Sequence, residues 1–330
     1  MKEPIRVVWP DKGKVKLGEF QLGEPDEGEV VIETEYTLIS PGTELAFLKA
    51  LPNTFQGFPQ YPGYNNIGRV IRLGGEMSGF SEGDRVVSPA NHASMAKVPV
   101  SRVLKVPGEL RSEEAVYFNM AAISLQAVRK AQVELGEAVL VMGQGLIGNL
   151  ALQLARLSGG FPVVGSDLID ERLEISRECG ADLAVNSRSE ELKARLRQVI
   201  GRECVDVVLE ATGVPEAIHD CLELIGYRGR VVLLASSRGE TERVNFYRDV
   251  HRRGVTIIGA HNSVRPKGES TRAYWTASDD WDVALRLIAA SRLKVKPLTT
   301  DVLSFQEASR AYDLLDRAPE EHLGVLLDWT

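Results

Sequence analysis

The chain changes its hydrophobic rhythm twice. Over the first 119 residues apolar positions come in short runs, at 6–9, 15–20, 30–36, 67–73 and 85–88. Turn residues such as Gly74-Gly75 and Glu82-Gly83-Asp84 separate them, so this region reads as β-rich. The segment 112–130 then leads helically into a second pattern. There, short buried runs alternate with stretches whose apolar positions recur at helical spacing. Strands are expected at 138–142, 162–165, 183–185, 205–210, 230–234 and 255–258, with helices at 147–157, 170–179, 190–199, 215–224 and 244–252. Six strands with intervening helices define an α/β fold with a doubly wound parallel six-stranded sheet. After residue 258 the alternation stops. An amphipathic helix at 279–291, the run Leu303-Ser304-Phe305-Gln306-Glu307 and a final helix return to the first region. The expected division is 1–119 with 258–330 as one domain and 120–257 as the other.

The first strand of the parallel sheet runs into Gly143-Gln144-Gly145-Leu146-Ile147-Gly148, a G-x-G-x-x-G turn that opens a helix. An acid, Asp167, ends the next strand about 20 residues on, the context that turns a common glycine pattern into a dinucleotide fingerprint. Gly143 permits the tight turn, Gly145 lets the backbone approach a pyrophosphate, and Gly148 lets helix and strand pack closely. The helix start at Leu146 and Ile147 offers N–H groups and about half a positive charge to the phosphates. Asp167 would accept from both ribose hydroxyls of NAD. A 2′-phosphate roughly 4 Å from that carboxylate would be repelled by about 1–4 kcal/mol. NAD is therefore expected before NADP. Arg172, five residues past Asp167 and able to cover the adenine or its ribose, argues weakly the other way.

Composition narrows the classes. The chain has 330 residues, enough for two cores, with 44% hydrophobic and 26% charged residues and a net charge of −7. It has no basic stripe for nucleic acid and no apolar run of 18 residues for a bilayer. The charged start, broken at Pro10, is not a signal peptide, and a cytoplasmic protein is expected. The three cysteines, Cys179, Cys204 and Cys221, form no C-x-x-C pair, and the five histidines show no metal spacing.

Motifs elsewhere carry a resemblance. Pro62-Gly63-Tyr64-Asn65-Asn66-Ile67-Gly68 is similar to a P-G-H-E-x-x-G segment, and Ser81-Glu82-Gly83-Asp84-Arg85-Val86 to a G-D-R-V turn. Pro297-Leu298, 303–305 and 311–315 look like a C-terminal signature. With the glycine turn these motifs span the chain, which resembles the medium-chain dehydrogenase/reductase superfamily, the alcohol dehydrogenase-like group. The resemblance implies a GroES-like catalytic domain (1–119 and 258–330), a Rossmann domain (120–257), a cleft active site between them and a homodimer formed through the Rossmann edge near 244–260.

The departures bear on the chemistry. Zinc-dependent members use the cysteine of C-G-S/T-D, the histidine of P-G-H-E, and a cysteine or acid before the Rossmann domain. Here the first motif reads Ile39-Ser40-Pro41-Gly42-Thr43-Glu44, Tyr64 and Asn65 replace histidine and glutamate, and the third position falls near Phe118. The segment 87–98, where a structural-zinc lobe would sit, is short and has no cysteine. Tetrahedral zinc needs three protein ligands plus water or substrate, so no metal is expected. The I-S-P-G-T-E and P-G-Y segments are most similar to the zinc-lacking branch around bacteriochlorophyllide dehydrogenase, which oxidises secondary alcohols with NAD.

Zinc lowers the pKa of a bound oxygen steeply, to about 7, so its loss leaves roughly 12 kcal/mol to other groups. Tyr64, in a ligand's place, is the expected acid/base on the reacting oxygen. Thr43 matches the hydroxyl that begins the family's proton relay, and Glu44 the acid that orients a ligand or serves as base behind Tyr64 or Thr43. Each also has a structural alternative: Tyr64 packing on the barrel, Glu44 tying its turn, Thr43 capping a short helix. Asn65, His92 at the cleft rim and Trp275 are candidate substrate contacts, while Asn65 as a turn holder, His92 as a solvated loop residue and Trp275 as core are the alternatives. Ala211 and Thr212 after the fourth strand, Ala235 and Ser236 after the fifth and His261 after the sixth are candidate cofactor contacts. The expected function is NAD-dependent oxidation of a secondary alcohol, or reduction of its ketone, on a ring such as a cyclitol, sugar or fused-ring compound. An NADPH-dependent quinone or enoyl reductase and a nucleotide-binding protein without turnover are the alternatives.

Overall fold

β1 (Ile5–Asp11) and β2 (Lys14–Glu19) form an antiparallel ribbon, and the ten-residue β3 (Glu29–Leu38) organises the larger sheet beside it. Val30, Val31 and Ile32 of β3 are wholly buried, as expected of a strand paired on both edges. One edge takes β4 (Asn66–Leu73). The other is shared by β6 (Met95–Pro99), against residues 29–33, and the C-terminal β15 (Gly324–Asp328), against residues 36–38. β5 (Arg85–Ser88), β7 (Leu104–Lys105) and β14 (Thr299–Ser304) complete a seven-stranded sheet. The computed structural model describes residues 3–76 and 78–330.

The parallel sheet is built from β8 (Val139–Met142), β9 (Val163–Asp167), β10 (Leu183–Asn186), β11 (Val205–Glu210), β12 (Ile225–Leu233) and β13 (Thr256–Gly259). Its order is β10-β9-β8-β11-β12-β13, with every pairing parallel. All four residues of β8 are buried, because helices cover both faces of such a sheet. The strand order reverses at β8 and β11, which makes their carboxyl ends the topological switch point. The architecture is that of a GroES-like domain and a Rossmann domain.

The chain divides into two units: residues up to Met120 with Trp281–Thr330, and Ala121–Asp280. The stretch 258–280, expected with the first unit, clusters with the second. Asp280, fully buried, explains this by holding Arg129 at 2.9 Å and Arg265 at 2.5 Å. Arg265 also donates to Ala122 O at 2.7 Å.

Three other expectations change locally. The helix expected at 244–252 is a π turn, Phe246–Val250, followed by a 3-10 turn, His251–Arg253. Asn245 and Asp249 bond local backbone N–H groups there and compete with the regular ladder. The helical segment at 112–130 breaks into Ser112–Ala115 and Phe118–Ala131. The final helix, Ala308–Arg317, is followed by β15, a strand the pattern reading did not anticipate. Among the described residues no helix is long and apolar enough to cross a membrane.

Candidate functional site

In the second unit the strand register sets the site. Met142 lies beside Ser166 on one side and Glu210 on the other, Glu210 beside Leu233, and Leu233 beside Gly259. The segments holding Gly143, Asp167, Ala211, Thr212, Ala235, Ser236 and His261 therefore all leave the same, carboxyl edge of the sheet.

The glycine turn follows from sterics. Gly143 has φ +89°, and a Cβ there would lie 2.9 Å from the Ala211 carbonyl carbon. A Cβ at Gly148 would lie 1.8 Å from Gly143 O, so only glycine allows the helix Leu146–Leu157 to cross the turn this closely. Gly145 differs: a Cβ there would meet nothing within 4 Å. It is also the N-cap, with no side-chain cap. The first helical bond runs from Asn149 N to Gly145 O at 2.9 Å, leaving the N–H groups of Leu146, Ile147 and Gly148 outside the helical ladder. This open, amide-lined cradle fits a dinucleotide pyrophosphate.

Asp167 locks the turn to the end of β9. Its Oδ2 accepts from Gln144 N at 2.6 Å, and its Oδ1 from Leu168 N at 2.7 Å and Ile169 N at 3.1 Å. Arg172 Nη1 stands 4.0 Å from Oδ2. Beneath the turn lies a buried polar support that sequence reasoning missed. Gln144 Nε2 donates to Val141 O at 2.8 Å, Asn149 Nδ2 to Gln144 O at 2.6 Å, and Ser176 Oγ lies 2.9 Å from Gln144 Oε1. Glu210 plays the same part after β11, accepting from Thr212 N at 2.6 Å and Gly213 N at 3.0 Å. Burial nevertheless holds its carboxyl above the ordinary value, against those hydrogen bonds. His261 is exposed and caps its own turn, with Nδ1 2.8 Å from Ser263 Oγ. Trp275, in the same unit, lies under the Arg129 guanidinium at 3.6 Å.

In the first unit a polar cluster gathers on Glu44. The helix Pro41–Leu48 starts at Ser40, whose side chain makes no cap bond. The Ser40 hydroxyl instead accepts from Tyr64 OH at 2.5 Å. Ser40 N donates to Glu44 Oε1 at 2.8 Å, and Glu44 N returns a bond of 2.8 Å to Ser40 O. Glu44 Oε2 takes His92 Nε2 at 3.0 Å and the hydroxyl of Tyr312. Glu44 is only 2% exposed. Tyr64 is half-buried, and Thr43 lies in the first helical turn, also half-buried.

Of the candidate substrate contacts, His92 was expected at a cleft rim and Asn65 either at the substrate or holding its turn. His92 is fully buried, because Gly63, at φ +100°, admits it so closely that a Cβ would lie 2.5 Å from His92 N. Asn65 is fully buried and donates to Leu38 O at 3.1 Å, which holds its turn. Tyr312 was not identified from the sequence. It lies 268 residues from Glu44, and no local pattern links the two.

A GroES-like β domain joined to a Rossmann sheet carrying this glycine turn is the architecture of the medium-chain dehydrogenases. Residues 147–287 match the family model described as "Zinc-binding dehydrogenase". It is 26% identical over 261 residues to D-guloside 3-dehydrogenase of Shigella flexneri, covering 78% of this chain and 74% of the relative. Its fold matches a short chain alcohol dehydrogenase of Escherichia coli CFT073, complexed with NADH, at a TM-score of 0.85 and 19% identity, over 99% of this chain and 100% of that one. It also matches a putative zinc-binding dehydrogenase of Sinorhizobium meliloti 1021, bound to NADP, at a TM-score of 0.83 and 20% identity, over 99% and 100%.

The family name raises the question of a metal. Ser40, Pro41, Tyr64 and Phe118 occupy the positions where the resemblance sets zinc ligands, and Phe118 is buried edge-on against Trp281 at 5.4 Å. Among the described residues no three His, Cys, Asp or Glu side chains come together to hold a metal. This donor set does not fit a catalytic zinc.

Proposed function

We propose that the protein is an oxidoreductase passing hydride between a nicotinamide dinucleotide and a secondary alcohol or ketone on a sugar- or cyclitol-like ring, with NAD preferred to NADP and no metal on the reacting oxygen. The observation that carries this reading is the open space at Gly145 beside the free N–H groups of the helix start. The Asp167 carboxylate at the end of β9 supports NAD, since it disfavours a 2′-phosphate. The relative that acts on D-gulosides supports a sugar-like substrate. When bound, the cofactor supplies the hydride acceptor or donor. Leu146, Ile147, Gly148, Asp167, Ala211, Thr212, Ala235 and Ser236 would hold it.

Tyr64 supplies the proton chemistry. A neutral phenol hydroxyl can donate to a carbonyl oxygen. The Ser40–Tyr64 pair suits that task, because each hydroxyl both donates and accepts. Tyr64 can turn its proton to the reacting oxygen while Ser40 donates back to Tyr64. The outer edge of β13, unpaired among the described residues, is the edge through which we place a homodimer.

The test is steady-state turnover on a panel of cyclitols, sugars and their ketones with NADH or NADPH, using wild type and Tyr64→Phe. Tyr64→Phe should fall below about a third of wild-type kcat, as removal of a general acid predicts. Full retention rejects Tyr64 as the acid. Tighter binding of NADPH than NADH, with turnover of quinones or enoyl compounds, favours the reductase reading instead. Binding of NADH with no hydride exchange on any substrate rejects the enzymatic reading.

A further inference from the structure

We propose that Tyr312 and His92, acting through Glu44, are positioning residues that hold the Tyr64–Ser40 hydroxyl pair in its working geometry. The consequence for turnover rests on the reading of Tyr64 as proton donor, while the positioning itself can be read without turnover.

Three distant parts of the chain meet on one carboxylate. His92 comes from a loop 48 residues away in sequence, and Tyr312 from the C-terminal helix 268 residues away. Both donate to Glu44 Oε2, His92 in the tautomer that a carboxylate partner selects. The other oxygen, Oε1, grips the backbone N–H of Ser40 at 2.8 Å. Ser40 in turn is the acceptor of Tyr64 at 2.5 Å. The part behind Ser40 is shielded: Glu44, His92 and Tyr312 are each no more than 2% exposed. Tyr312 is fixed further by Trp9, edge-on at 5.6 Å and 81°.

Ser40 is an unusual N-cap, and that is the clue. A serine there ordinarily turns its oxygen to the N–H two or three residues on, which satisfies the helix start. Here it does not; the Glu44 carboxylate takes over part of the anchoring and frees the hydroxyl for Tyr64. A buried carboxylate that loses a donor must recruit another or change its charge state. Removing the Tyr312 hydroxyl therefore disturbs the hold on Ser40 N and, through it, the acceptor of Tyr64. A merely structural tie would lower stability and leave Tyr64 untouched.

The experiment uses full-length Tyr312→Phe, Tyr64→Phe and the double variant. Phenolate absorbance is titrated in each, and the Tyr64 signal is the difference between protein with and without Tyr64 in the same background. A hydrogen bond given by the neutral phenol favours the protonated form. Its loosening should lower the Tyr64 titration midpoint by about 0.5–1 pH unit in the Tyr312→Phe background, the size of one net hydrogen bond. An unmoved midpoint overturns the proposal. Should alkali unfold the variants, a urea-unfolding cycle of the same four proteins at neutral pH decides: non-additivity of about twofold or more in the folding equilibrium constant supports the coupling, and additivity overturns it.

On turnover, Tyr312→Phe should lower kcat about threefold to tenfold with the KM for NADH unchanged. His92→Gln, which keeps an N–H donor, should stay near wild type, while His92→Leu should follow Tyr312→Phe. If Tyr64→Phe keeps full turnover, the functional reading of Tyr64 fails, and the titration still decides the positioning. If Tyr64→Phe is impaired while Tyr312→Phe matches wild type in kcat and titration, the positioning fails and the function stands.

Discussion

Two glycines three residues apart should respond in opposite ways to the same methyl group. At Gly148 an added Cβ would sit 1.8 Å from Gly143 O and 2.9 Å from Gly143 C. Both atoms are backbone, so no side chain can swing away, and the helix start must withdraw by about one ångström or more. Overpacking of this kind costs about 1–3 kcal/mol. For a unit the size of Ala121–Asp280 that corresponds to a melting temperature lower by roughly 2–4 °C per kcal/mol. At Gly145 the backbone has φ −67°, open to any L-residue, and the methyl meets nothing. Losing the glycine's freedom in the unfolded chain stabilises by about 0.4–1 kcal/mol, and a poorer N-cap costs a similar amount, so stability should hold within about 1 kcal/mol. The pyrophosphate, however, must approach the backbone where that methyl would project. A clash worth about 1–3 kcal/mol weakens NADH binding about five- to 150-fold. Thermal unfolding and fluorescence titration with NADH on Gly145→Ala and Gly148→Ala separate the two effects. Wild-type NADH affinity in Gly145→Ala would refute the assignment of that open space to the cofactor. An unchanged melting temperature in Gly148→Ala would refute the packing argument.

Asp167→Ser removes the charge that disfavours a 2′-phosphate. The ratio of NADPH to NADH affinity should rise about five- to 150-fold in competitive titration, matching about 1–3 kcal/mol of lost repulsion. Glu210, held above the ordinary 4.5 by burial, keeps its proton in the folded state over a window just above that pH where the unfolded chain has released it. Folding stability from this group therefore falls as pH rises through the window, and urea midpoints of wild type and Glu210→Gln should show the slope in the wild type alone. Asp280→Asn leaves the guanidinium groups of Arg129 and Arg265 without their shared carboxylate. It should cost about 3–5 kcal/mol in urea unfolding, whereas a loss under 1 kcal/mol would mean that the cluster is not what joins 258–280 to its unit.

What could be read from the chain was what its physics keeps local. The glycine turn needs a positive φ at Gly143 and the close approach of Gly148 to Gly143 O five residues away, and those local demands fix a glycine spacing that was sufficient to place the helix, the strand before it and the acid at the end of β9. The inner parallel strands β8, β9 and β11 were legible for a related reason, since a strand buried on both faces writes a short apolar run whatever its neighbours are. Features decided by partners far away in sequence were not legible. β15 is a strand because β3 and β14 lie on either side of it, and nothing in Gly324–Asp328 separates it from a continuation of the C-terminal region. His92 reads as a loop histidine until Gly63 admits its backbone and Glu44 takes its ring. The same division runs through the candidate catalytic residues. That Ser40, Pro41, Tyr64 and Phe118 are poor metal ligands is a property of residue type, visible at once. The cluster proposed to do the proton chemistry is a relation between Tyr64, Ser40, Glu44, His92 and Tyr312, of which Ser40 and Glu44 alone are near neighbours in the chain. Here the unexpected member, Tyr312, is the one most distant from Glu44 in sequence, and it closes the cluster from the C-terminal helix.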